Sequence, residues 1–210
     1  PKQKGRVPLI YTKQAISRRW LRNGLVKPSG LDVFIRTQQT NIKQVRIVPR
    51  RDHYVVEVVY EREPEEHDLD EDLIAGVDLG IDNLITLTSN QPGFMPVVVN
   101  GRGLKSINQY YNKRRTELQA HIASNRSTKR LRRLTEKRNR KVKHMLHIAS
   151  RRVIDHLVTC GIGTLVIGSN PDWKERMNNQ KFISIPRSML VDMLTYKAKL
   201  CLLYTSPSPR

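Results

Sequence analysis

Ile74-Ala-Gly-Val-Asp-Leu-Gly-Ile-Asp-Asn83 is a short apolar run interrupted by one carboxylate, Asp78, and closed by a polar turn. An apolar run of this length bounded by turn residues reads as a buried strand. A charge inside such a strand is costly unless charge is useful there. Gly76 and Gly80 flank Asp78 and leave room for something to approach the backbone. A carboxylate held rigid on the first strand of a sheet suits a divalent metal. Two such ions can activate a water and stabilise the leaving 3′ oxygen in phosphodiester hydrolysis. Asp82 lies in the following turn, where Asp commonly closes the backbone, and it is read as structural.

Downstream, Leu84–Thr88 and Met95–Val99 read as two more strands, which with 73–80 make a three-stranded meander. Residues 104–122 read as a helix. Residues 127–159 form a longer one, opened by the cap candidates Ser127 and Thr128 and carrying Leu131, Leu134, Met145, Ile148, Ala149 and Leu157 at helical spacing. Thr164–Ile167 is a further strand, and Pro186 opens a last helix with Met189, Leu190, Met193 and Leu194. Strands, long helices and then another strand predict an α/β domain whose helices cover a mixed sheet.

Upstream, Glu61–Asp72 is rich in carboxylates and poor in core-forming residues, so it reads as a surface linker. It lacks the ligand spacing and the Gly of a calcium loop. Before it, Leu31–Thr37, Ile42–Val48 and Tyr54–Tyr60 predict a small antiparallel β module, preceded by a short helix around Thr12–Arg22. The predicted organisation is a β-rich domain over 1–62, a linker over 63–73, an α/β domain over 74–200 and a tail over 201–210.

The formal net charge is +19 over 210 residues. Residues 101–152 hold 17 Lys and Arg against two acids, Glu117 and Glu136, and so supply +15 of it. Solvated helix faces normally mix signs at four-residue spacing. Cations this dense repel one another unless a polyanion compensates them, which points to nucleic-acid backbone. The candidate contacts are Lys105, Lys113, Arg114 and Arg115 on the first helix. On the second they are Lys129, Arg130, Arg132, Arg133, Lys137, Arg138, Arg140 and Lys141. Aromatics make up 6% of the chain, so base stacking is not expected to dominate. No long apolar run or amphipathic anchor points to a membrane. Two cysteines, Cys160 and Cys201, are too few and too far apart for a disulfide framework or zinc site, which fits a reducing cytoplasm.

Gly76-Val-Asp-Leu-Gly-Ile-Asp-Asn-Leu84, Asn100-Gly101, Leu104-Lys-Ser-Ile-Asn-Gln-Tyr-Tyr-Asn-Lys113, Arg130-Leu-Arg-Arg-Leu134, Lys137-Arg-Asn-Arg-Lys141 and Leu165-Val-Ile-Gly168 follow one another in order. Asn178-Asn-Gln180, Ile185-Pro186 and Met193-Leu-Thr-Tyr-Lys-Ala198 continue the series. These blocks resemble the TnpB/OrfB proteins of insertion sequences, and Ile42-Lys-Gln-Val-Arg-Ile-Val48 resembles their wedge-like β domain. The resemblance implies an RNase H-like (RuvC) α/β fold with a mixed sheet and long basic helices. It implies a prokaryotic, cytoplasmic, RNA-guided DNA endonuclease related to type V CRISPR effectors, with guide RNA and DNA as partners. Its metal is Mg2+ or Mn2+, held by three acids. Asp78 matches the first. The second is usually a Glu after the strand that here ends at Ile167, where this chain has Gly168-Ser-Asn170. Glu175 is the nearest replacement, a surface Glu being the competing reading, and Asp172 is a weaker candidate. The third acid and a zinc ribbon for Zn2+ are expected beyond Leu200. A non-enzymatic nucleic-acid binder is the alternative.

Gly-x-Asp-x-Gly also opens actin-like and sugar-kinase ATPases. Those usually continue with Thr or Ser and carry a later phosphate loop, whereas here Ile81-Asp82-Asn83 follows and no later Gly-rich loop is present. His144 and His147 share a helix with many cations and read as packing or phosphate contacts. Trp173 reads as a lid over the core, and Cys160 as a helix-terminal residue. The last ten residues, Cys201-Leu-Leu-Tyr-Thr-Ser-Pro-Ser-Pro-Arg210, can be written in frame as a tagmentation adapter. They are expected to be foreign to the gene, which excludes Cys201 from any site. The native start is expected to precede Pro1.

Overall fold

The computed structural model describes residues 6–50, 53–121, 127–168 and 186–207. The chain divides into two compact units, Pro1–Glu63 and Pro64–Arg210.

In the first unit, β1 (Leu9–Thr12) is followed by a 3-10 turn at Lys13–Ala15 and helix α1 (Arg18–Arg22). Then come β2 (Leu25–Val26), β3 (Ile35–Arg36), β4 (Ile42–Pro49) and β5 (Tyr54–Tyr60). An antiparallel sheet runs in the order β1-β4-β5, and β2 and β3 form a separate ribbon. The core is small: Ile16, Val26, Ile42 and Val45, with Tyr11, Leu21, Ile35 and Val58 against it. The helix predicted over 12–22 is split. Ile16 is extended (φ −115°, ψ 128°) and bridges Pro28, and Ser17 N–H donates to the Lys27 carbonyl (3.2 Å). Burying β-branched Ile16 against this ribbon overrides the local helical pattern. The strand predicted over 31–37 shrinks to Ile35–Arg36.

The second unit contains β6 (Asp70–Asp78), β7 (Asn83–Ser89), β8 (Val97–Asn100), α2 (Arg102–Ala120) and α3 (Lys129–Thr159). It continues with β9 (Ile162–Ile167), α4 (Arg187–Leu200) and β10 (Tyr204–Pro207). The sheet order is β10-β9-β6-β7-β8. β6, β7 and β8 form an antiparallel meander, β9 lies parallel to β6, and β10 parallel to β9. This is the mixed sheet with covering helices that the element order predicts.

Three expectations are corrected here. β6 starts inside the acidic stretch, because Asp70 pairs with Ile162 and the Glu71 carbonyl accepts from the Thr164 hydroxyl (2.8 Å). The end of the predicted linker is therefore strand. Second, of the apolar positions predicted for α3, Leu131, Ala149 and Leu157 are buried, and the rest of the buried stripe is Val142, Leu146, Val153 and Ile154, at helical spacing. Leu134 and Met145 are half-buried and Ile148 is 42% exposed. Third, the tail predicted to stand outside the domain supplies β10, with Cys201 and Leu203 buried. An open sheet edge pairs through backbone groups that almost any sequence can offer.

Two details fix the helices. Thr128 caps α3, its hydroxyl accepting from Leu131 N–H (3.2 Å). On α4, Leu190, Met193 and Leu194 are buried as predicted, and so is Lys197. Its ammonium donates to the His147 carbonyl and the Ser150 hydroxyl, both at 2.7 Å. That satisfies a polar head which burial would otherwise penalise, and it locks α4 to α3.

Candidate metal and nucleic-acid site

Asp78 is the last residue of β6, the central strand, and pairs with Thr86 of β7. Ala75, Val77 and Leu79 are buried, while Ile74 and Asp78 are exposed. Period-2 alternation thus places the Asp78 carboxylate in solvent at the strand end and not in the interior, which corrects the reading of a charge inside a buried strand. On the other side of β6, Gly168 N–H donates to the Val77 carbonyl (2.8 Å) as the chain leaves β9. A Cβ at position 168 would lie 3.1 Å from that carbonyl and 4.0 Å from Asp78 Oδ1. The backbone at Gly168 therefore runs directly beside the carboxylate.

The turn after Asp78 is clamped to the start of α2. Gly101 N–H donates to the Asp82 carbonyl (2.8 Å), and Lys105 Nζ to Asp82 Oδ1 (2.7 Å). The Asn100 side chain accepts from Arg102 N–H (2.7 Å). Cβ atoms at Gly80 and Gly101 would collide with the Asn83 and Ile81 carbonyls. Asp82 thus has a structural partner, and Lys105 is committed to it.

Arg187, the first residue of α4, also reaches this region. Its guanidinium donates to the Leu79 carbonyl, one residue past Asp78. Burial lowers its pKa, and attraction to Asp78 opposes that shift. The sequence gives no sign of this contact.

The predicted phosphate contacts separate into two groups. Lys113, Arg115, Lys129, Arg130, Arg133, Lys137, Arg140 and Lys141 are exposed. Lys105, Arg114, Arg132 and Arg138 are half-buried. Arg114 is paired with Glu117. Arg138 Nε donates to Asn108 Oδ1 (2.7 Å) and its Nη1 to Asn139 Oδ1 (2.9 Å), and its guanidinium lies 5.7 Å from the Tyr111 ring centre. Burial lowers the pKa of Arg138. The Tyr111 hydroxyl meets the Thr135 hydroxyl (3.1 Å). Arg138 therefore zips α2 to α3, a role that the polar but buried Asn108 could have signalled.

Glu175, Asp172 and Trp173 lie outside the described residues. His144 is exposed and His147 half-buried. Among the described residues no group of three or more His, Cys, Asp or Glu could hold a metal ion. An exposed carboxylate nevertheless fits a hard divalent cation as one ligand, since Mg2+ is often held by one or two carboxylates plus substrate phosphates. No helix among the described residues is long and apolar enough to cross a membrane.

The OrfB_IS605 family, described as "probable transposase", matches residues 53–174, more than half of the chain and inclusive of β6 to β9. This chain belongs to the OrfB family. Its fold is similar to that of the protein in a cryo-EM structure of a CRISPR-Cas12f ternary complex, with TM-score 0.56, 16% identity, and 80% of this chain matched to 36% of the other. It is also similar to that in a Cas12f1-sgRNA-target DNA complex, with TM-score 0.61, 14% identity, and 79% matched to 35%. The OrfB chain thus spans about a third of the length of these structures. No curated protein matches its sequence.

Proposed function

We propose that this OrfB-family chain is part of an RNA-guided DNA endonuclease, with nucleic acid laid on the exposed cations of α2 and α3 and phosphodiester hydrolysis centred on Asp78. The observation that carries this reading is an exposed carboxylate at the end of the central strand of a mixed sheet, in a family of transposon proteins. The sheet, a three-stranded meander continued by two parallel strands, supports an RNase H-like (RuvC) fold. One of the similar structures is a complex with sgRNA and target DNA, which supports guide RNA and DNA as partners.

Asp78 and Glu175 would hold Mg2+ or Mn2+. When bound, the ion supplies charge stabilisation and an activated water. The chain's own residues bind and orient. Exposed Lys and Arg neutralise phosphates, the clamped turn holds the end of β6, and the exposed Asp78 lies beside Gly168.

Gly168 also favours a second reading, a nucleic-acid binder that does not cut, because it stands where the resemblance calls for a Glu. The two separate on cleavage of labelled DNA by a protein of family length carrying this segment, loaded with guide RNA. Cleavage that needs Mg2+, stops with EDTA and is lost in Glu175→Ala supports the nuclease with a relocated ligand. Unimpaired cleavage in Glu175→Ala removes that residue from the site. No cleavage under any divalent ion favours the binder.

A further inference from the structure

We infer that Arg187 receives a phosphate oxygen of the nucleic-acid strand beside Asp78, an inference that rests on the proposed nucleic-acid reading and adds a residue to its site. Arg187 lies past the residues that match the family, 53–174. Its position is fixed from two sides. Leu190, Met193, Leu194 and Lys197 anchor α4 in the core, and the Lys197 ammonium ties it to α3. At the other end, the hydrogen bond to the Leu79 carbonyl holds the guanidinium at the C-terminal end of β6.

The charge arrangement gives this placement its meaning. A phosphodiester approaching Asp78 meets a negative carboxylate, and a fixed cation alongside offsets that repulsion. The hydrogen bond to the Leu79 carbonyl sets the guanidinium one residue along the backbone from Asp78. A planar guanidinium presents its donors as a fork that matches two oxygens of one phosphate, which a Lys ammonium cannot do. Gly168 itself adds no side chain beside Asp78: a Cβ there would lie 4.0 Å from Asp78 Oδ1. A tether between α4 and β6 would need a donor to Leu79 and nothing more, so it predicts no phosphate response.

The test uses the 210-residue chain and the dinucleoside monophosphate TpT as the probe, followed through the Arg187 Nε–H resonance by NMR. TpT should shift this resonance in a saturable way, and the affinity read at the Gly168 amide should fall about tenfold in Arg187→Ala. Arg187→Lys retains a donor for Leu79 and guards against loss of fold; it should still weaken TpT binding. An Arg187 resonance unmoved by TpT, or equal affinity in Arg187→Lys and the parent chain, overturns the inference. A parallel Mn2+ titration separates this from the metal reading. Mn2+ should broaden the Gly168 and Leu79 amides, and Asp78→Asn should abolish that. Missing Mn2+ broadening with an intact TpT response sinks the metal proposal and leaves Arg187 standing.

Discussion

A single methyl group at position 101 has no room, because it would collide with the Ile81 carbonyl inside the turn that follows Asp78. That neighbour is backbone, so the turn itself must move. Gly101→Ala should therefore cost about 2–4 kcal/mol in urea unfolding, at the upper end of the range for point changes. A loss under about 0.5 kcal/mol would mean the clamp is loose. His147 gives a pH prediction. Its pKa is lowered from 6.5 by burial first, then by Lys197, Lys143 and His144, and its ring lies 3.5 Å from the Tyr196 hydroxyl. The unfolded chain takes up that proton at a higher pH than the folded one. Stability should thus be full above pH 6.5 and fall as pH drops below it, until the folded pKa is passed. Thermal melts between pH 7.5 and 5.5 check this, and His147→Gln should flatten the fall. At this scale Asp78 was legible as a strand residue, since a charge interrupting an apolar run stands out in one dimension. Its exposure was not, because the buried face of a strand is chosen by its neighbours. Arg187 was invisible, its partner being a backbone carbonyl 108 positions away.

The two basic helices divide labour along their length. Arg138 serves the α2–α3 contact through Asn108 and Tyr111. Arg138→Ala should lower stability by about 1–3 kcal/mol through the lost charged hydrogen bond, with little direct effect on nucleic-acid affinity once folding is controlled for. Lys137→Ala and Arg140→Ala, one residue before Arg138 and two after it, should do the reverse. Each should leave stability within about 0.5 kcal/mol and reduce the salt slope of binding by about 1. Fluorescence anisotropy across a salt series, paired with urea melts, separates the classes. Equal stability losses in all three variants would contradict the division. Elements with strong internal periodicity were legible, such as β5, α3 and α4. The short ones were not. β1, β2 and β10 have two to four residues each and are defined by a partner strand, and the helix expected over 12–22 yielded to the burial of Ile16.

For the molecule as a whole, the proposed function has charge govern binding and a carboxylate govern cutting, so the two should come apart. With eight exposed cations among the predicted contacts, affinity for DNA or RNA should fall steeply with salt. Contacts to 6–10 phosphates would lose about three to five orders of magnitude between 50 and 200 mM. The mixed sheet with its meander and covering helices was legible in the order of elements, whereas the place of β9 beside β6 and of β10 at the edge was not. A second acid to stand with Asp78 was not legible, because the resemblance calls for a Glu after β9 where this chain has Gly168-Ser-Asn170, and the nearest acids lie some residues on. The most direct measurement is guided cleavage by a family-length protein carrying this segment, comparing the unaltered protein with Asp78→Ala in Mg2+ while recording DNA binding in the same samples. Cleavage abolished with binding within about threefold of the unaltered protein, a change of under about 1 kcal/mol, is the expected result. Undiminished cleavage with Ala at position 78 would contradict the assignment of this strand end as the catalytic centre.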